Sequence, residues 1–213
     1  MAAPRAMGAQ RADVTGLLLC GGESRRMGRD KALLPFAGRA VIEGPLGALR
    51  ELAPRVLLST GAAPRYPELG LECVLDVLGD AGPLAGLCAG LEASRTEWLA
   101  VLSCDLPLAR VDVLRALLAR AEEGGWDAAL LELPRGTQPL YGVYRSTCLA
   151  PVRAALARGE RRMVAFHGGL MVGSVAAALV GPSAERSALN LNTPEDFRTL
   201  EQEALRGDTM GLP

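Results

Sequence analysis

The chain has 213 residues, of which 49% are hydrophobic and 22% charged, with a formal net charge of −1. That is the composition of an ordinary soluble globular protein, long enough for one large domain. The near-neutral balance gives no basic field for a nucleic acid, and aromatics at 4% exclude a base-stacking platform.

Five cysteines (Cys20, Cys73, Cys88, Cys104 and Cys148) are odd in number and never spaced as C-x-x-C. Neither a disulfide framework nor a zinc site is expected; reduced thiols in the cytoplasm are. The weakly polar run Leu170–Val180 is too short to span a bilayer. The leader Met1–Arg11 carries arginines but no apolar core of a secretory signal, so no membrane partner is expected.

Val14–Cys20 (VTGLLLC) reads as a buried parallel strand that ends in Gly21-Gly22. Arg55–Thr60, Glu72–Leu75, Trp98–Ser103 and Asp127–Leu131 repeat that pattern. Between them, about Val41–Leu52, Pro83–Ala93 and Val111–Glu123 space apolar residues at i, i+3, i+4 and read as helices. After Pro134 the alternation loosens: Gln138–Tyr144 reads as a strand, Thr147–Arg158 as a helix. Thr193-Pro194-Glu195-Asp196 opens a final helix with a cap, a first-turn proline and acids. The cadence predicts an α/β fold: a three-layer α/β/α sandwich around a mostly parallel, Rossmann-like sheet. Residues 1–12 read as a flexible extension, 13–206 as a single domain, and 207–213 as a flexible tail.

Ligands of such sheets bind beyond the carboxyl ends of the strands. Those ends carry Gly21 to Lys31, Ser59-Thr60, Asp76 and Cys104-Asp105-Leu106-Pro107, all small, polar or acidic. The first, LCGGESRRMGRDK, puts glycines where backbone amides can cradle phosphate, with Arg26 and Lys31 as positive charge. It is neither a Walker loop nor a G-x-G-x-x-G fingerprint. Asp105, just after a central strand, is placed to hold magnesium, which takes one or two carboxylates plus substrate phosphates. The bland alternative for Asp105 is a helix-capping aspartate, and for Asp76 a turn-forming one.

The loop pattern G-G-x-x-x-R-M-G-x-D-K resembles that of nucleotidyltransferases that activate sugars, isoprenoid precursors and molybdopterin. Over about Thr15–Leu200 the chain resembles the molybdenum cofactor guanylyltransferases, on five ordered blocks. These are LCGGESRRMGRDK with L-L-P-x-x-G-R; Asp76 with G-P-L-A-G-L (Gly82–Leu87); S-C-D-L-P; Q-P-L-Y with G-E-R-R (Gly159–Arg162); and N-L-N-T-P-E-D (Asn190–Asp196). Related cytidylyltransferases typically carry a serine-rich second block and aspartates in the last, so the resemblance sides with guanine.

The resemblance implies transfer of GMP from GTP to molybdopterin with magnesium as cofactor. It implies nucleotide contacts at Leu19, Cys20, Gly21, Gly22, Lys31, Ser59, Asp76, Gly82 and Asp105, the metal on Asp105, and the acceptor near Gln138, Arg161, Arg162, Asn190 and Asn192. Ser59 departs from the family, whose members often have asparagine there. The implied protein partners are molybdenum-insertion proteins and acceptor molybdoenzymes. A phosphate monoester, with a second pKa of about 6, attacks without a general base, in keeping with the single histidine, His167, lying outside every block. The alternatives are a cytidylyltransferase or sugar-phosphate nucleotidyltransferase of the same fold, or a silent nucleotide-binding module.

Overall fold

The computed structural model describes residues 9–21, 30–76, 82–191, 193, 195–198 and 200–201. Its centre is a sheet of β1 (Val14–Leu19), β4 (Arg55–Ser59), β5 (Glu72–Val74), β6 (Trp98–Ser103), β7 (Ala128–Leu133), β8 (Gly136–Arg145) and β9 (Val172–Ala176). Their order is β5-β4-β1-β6-β8-β7-β9. β2 (Pro35–Phe36) and β3 (Arg39–Ala40) form a separate small hairpin.

β1 is buried along its whole length because both faces are covered. Leu18, Val56, Leu58, Ala100 and Leu102 face one core with α1 (Glu43–Leu52) and α3 (Val111–Gly124). Leu17, Leu19, Leu57, Leu99 and Val101 face the other with α2 (Pro83–Ala93) and α4 (Leu149–Ala157). This alternation along each strand makes the expected three layers. α5 (Ala177–Val180) and α6 (Ala184–Ser187) follow β9.

β1 pairs in parallel with both β4 and β6, and β4 with β5, so these four strands end at one edge. β8 runs antiparallel between β6 and β7. The turn into it passes through Gly136 at φ +121°, and a two-strand hairpin must reverse direction. The reversal brings the start of β8, Gln138 included, to the edge where β6 ends, since Tyr141 lies opposite Leu102.

Gln10 and Arg11, assigned to the extension from sequence, are tied to the body. Gln10 Nε2 donates to the Arg50 carbonyl at 2.6 Å, and the Arg11 amide to the Leu52 carbonyl at 2.7 Å. At the other end Thr193 caps the final helical segment reciprocally. Its amide reaches Asp196 Oδ2 at 2.8 Å, and its Oγ1 accepts from the Asp196 amide at 3.1 Å.

Candidate active site at the carboxyl edge of the sheet

Backbone hydrogen bonds extend the parallel ladder one residue past the strands. The Cys20 amide donates to the Ser59 carbonyl at 2.7 Å, and the Cys104 amide to the Leu19 carbonyl at 3.0 Å. Leu19, Cys20, Gly21, Ser59 and Asp105 are therefore fixed side by side. Cys20 and Cys104 also meet through their side chains. That hydrogen bond, then burial, pushes the Cys20 thiol far above its ordinary value, so it stays protonated.

Asp105 Oδ1 is buried and accepts no hydrogen bond, as is Asn190 Oδ1. An orphaned carboxylate oxygen at a strand end is costly unless something else occupies it. The helix-capping alternative fails, because α3 starts at Val111 after Arg110 and has no side-chain cap bond. The donor set suits magnesium, which asks the protein for one or two carboxylates. Among the described residues there is no group of three or more His, Cys, Asp or Glu side chains able to hold a metal.

Lys31 is linked to Asp105 through the last sequence block. Its Nζ donates to the Leu191 carbonyl at 2.9 Å, while the Leu191 amide donates to the Asp105 carbonyl at 3.0 Å. The last sequence block thus bridges the first and third.

α2 closes the site over β1 and β4. A Cβ on Gly86 would stand 2.6 Å from Leu19 Cδ2 and 2.7 Å from Ser59 Oγ, so only glycine permits this approach. Gly82 opens the helix at φ +71°. Ser59 is 2% exposed beneath α2, its hydroxyl turned to Gly86.

Asp76 is 8% exposed, its amide bonded to the Gly61 carbonyl at 3.0 Å. It lines a cavity of about 280 Å³ with Leu75, Cys88, Glu92, Arg153 and Leu156. Arg161 and Arg162 lie in the loop after α4, and both are exposed. The Arg161 carbonyl passes 3.6 Å from where a Gly82 Cβ would be, which joins the fourth block to the second. Gly22, Arg26 and Asn192 lie outside the described residues. His167 is half-buried in the same loop, edge-on to Phe166 at 4.8 Å, and its Nε2 has no partner. Burial lowers its pKa.

One group escaped sequence reasoning. Asp30 caps the short 3₁₀ turn Lys31–Leu33, accepting from the Ala32 amide at 3.1 Å. Its carboxylate also receives the Tyr66 hydroxyl at 3.0 and 2.9 Å and pairs with Arg65. Arg65 and Tyr66 sit between β4 and β5, in a stretch with no motif to mark them.

Comparison with known proteins decides the family. The model of the MobA-like NTP transferase domain matches residues 16–171. The chain belongs to the MobA-like NTP transferase family. A relative from Pelotomaculum thermopropionicum, "Probable molybdenum cofactor guanylyltransferase", is 32% identical over 185 residues, covering 86% of this chain and 89% of its own. Another of that name, from Chloroflexus aggregans, is 34% identical over 203 residues, covering 88% and 93%. Among solved structures, molybdopterin-guanine dinucleotide biosynthesis protein A of Archaeoglobus fulgidus superposes with a TM-score of 0.75. Its identity is 22%, covering 90% of this chain and 99% of that one, a likeness of fold. The family match stops before Asn190, yet Leu191 closes onto Lys31 and Asp105 in this MobA-like chain.

Proposed function

We propose that the chain transfers GMP from GTP to molybdopterin, forming molybdopterin guanine dinucleotide and pyrophosphate, with magnesium as the metal. One observation carries the reading. Leu191 ties Lys31 to the backbone of Asp105 at the carboxyl edge, and Asp105 keeps a buried Oδ1 without a hydrogen-bond partner. Base and acceptor follow from the family and from relatives named as guanylyltransferases of the molybdenum cofactor.

Each residue has a task in this reading. The backbone at Leu19–Gly21 and the start of α2 at Gly82 border the nucleotide, and Asp76 contacts it from the end of β5. Asp105 Oδ1 holds magnesium, which neutralises charge on the phosphates. Lys31 binds phosphate oxygens and stabilises charge gathering on departing pyrophosphate. Gln138 and Arg161 flank the acceptor side, where the start of β8 and the loop after α4 reach the same edge. The acceptor's phosphate is largely a dianion at neutral pH, having a second pKa of about 6. The protein therefore contributes position and charge rather than a base. No helix of the described residues is long and apolar enough to cross a membrane. The setting is cytoplasmic, and the product passes to molybdoenzymes.

The test is incubation with magnesium, molybdate-loaded molybdopterin, and α-labelled GTP or CTP. Label from GTP in a dinucleotide, with pyrophosphate released, is expected. Label from CTP alone would overturn the base, and tight GTP binding without transfer would overturn the activity.

A further inference from the structure

We propose that Tyr66 and Arg65 are positioning residues that hold Lys31 in register for the nucleotide phosphates, acting through Asp30. The proposal rests on the phosphate-binding reading of Lys31 given above.

Lysine is a point charge on a flexible stem, and its placement depends on what anchors its backbone. Lys31 is the first residue of a single 3₁₀ turn, Lys31–Leu33. One turn is too short to stabilise itself and depends on its cap. The cap is Asp30, whose Oδ1 accepts the Ala32 amide at 3.1 Å. That carboxylate is oriented by donors from the far loop: the Tyr66 hydroxyl at 3.0 and 2.9 Å and the Arg65 guanidinium.

The far loop is built to deliver them. Tyr66 adopts a left-handed backbone at φ 59°, uncommon for a residue with a side chain, while only 6% of its surface is exposed. Arg65 lies over the Tyr66 ring with Cζ 4.9 Å from the centroid. The Cys73 thiol donates to the Arg65 carbonyl at 3.9 Å, linking the loop to β5. Burial first, then the bond to Asp30, raises the Tyr66 phenol, so it remains a donor at working pH.

Lys31 is consequently held at both ends, by the Asp30 cap at its backbone and by the Leu191 carbonyl at its ammonium. Neither Arg65 nor Tyr66 needs to touch the nucleotide. Their contribution is to keep the turn wound, so that GTP meets a lysine already in place.

The test measures GTP and guanosine dissociation constants by calorimetry on the full chain with magnesium, for wild type, Tyr66→Phe, Lys31→Gln and the double variant. Tyr66→Phe keeps the ring and its packing and removes only the hydroxyl. It is expected to weaken GTP about five- to tenfold, the scale of one hydrogen bond to a charged group. Guanosine affinity and the KM for molybdopterin stay unchanged. In the Lys31→Gln background the same substitution has no further effect on GTP. Arg65→Lys should retain more GTP affinity than Arg65→Met. Wild-type GTP affinity in Tyr66→Phe, an equal loss for guanosine, or a full additional loss on top of Lys31→Gln would overturn the proposal. Wild-type GTP affinity in Lys31→Gln itself would instead remove the phosphate role of Lys31, on which the proposal stands.

Discussion

Both ends of the central sheet carry polar residues and a cavity, yet they are chemically opposite. At the amino end Thr15 Oγ1 meets Thr96 Oγ1 at 2.7 Å, and Thr96 meets Ser94 Oγ at 2.9 Å and gives its proton to the Trp98 carbonyl at 2.9 Å. Arg55 pairs with Glu72 at 2.7 Å, and Arg145 pairs with Glu97. A cavity of about 410 Å³ opens there too, lined by Thr15, Arg55, Glu72 and Thr96. Those groups satisfy one another. At the carboxyl end Asp105 and Asn190 each keep a buried oxygen without a partner. A cavity or a polar strand end therefore does not mark a site by itself. The proposed site differs from the amino end in its two buried oxygens without a hydrogen-bond partner.

The comparison breaks most sharply at Asp105. Asp105→Ala should lower turnover by about 10³-fold, the scale of a lost metal contact. Its melting temperature should hold or rise, because a buried unpartnered oxygen is removed. A fall in both would mean that Asp105 is structural. Next is Gly86→Ala, whose new methyl would press on Leu19 and Ser59. Overpacking of this kind costs about 1–3 kcal/mol, read by denaturant titration, and the KM for GTP should rise as α2 lifts off the nucleotide.

How much of this was legible in the sequence follows from where each signal resides. β6 and α2 were readable to the residue, because a doubly buried strand is a continuous apolar run and α2 opens on Gly-Pro. β9 (VGSVA) and the hairpin β2–β3 were missed. β9 is a short edge strand diluted by glycine and serine, and the hairpin has two-residue strands. The antiparallel sense of β8 is set by the turn at Gly136, and apolar patterning carries no direction. Asp105 stood out by following a strand. The role of Leu191 could not, since it contributes a backbone carbonyl to a lysine 160 positions away. Tyr66 and Arg65 were equally hidden, because their partner Asp30 is distant in sequence and near only once β1, β4 and β5 are aligned.

Smaller effects sharpen the contrast from the amino end. Thr15→Val keeps the shape and removes one hydroxyl, while Thr96 keeps its bonds to Ser94 and Trp98. Stability should drop by about 1 kcal/mol with GMP transfer unchanged; a changed rate would show that the two ends communicate.

His167 gives the smallest effect, in the dependence of stability on pH. Burial lowers its pKa in the folded chain, so below the ordinary value of about 6.5 the unfolded chain binds the proton more readily. Its contribution is fully present above that value and is lost as pH falls toward the depressed folded pKa. Thermal unfolding of His167→Gln against wild type between neutral and mildly acidic pH should show a flatter profile in the variant.

The most direct test of the carboxyl edge as the reacting end is a manganese titration of GTP-loaded protein, followed by electron paramagnetic resonance, in wild type and Asp105→Ala. The account predicts that the substitution weakens manganese binding by about tenfold or more, the scale of one lost charged ligand. Equal manganese affinity in the two proteins would contradict it.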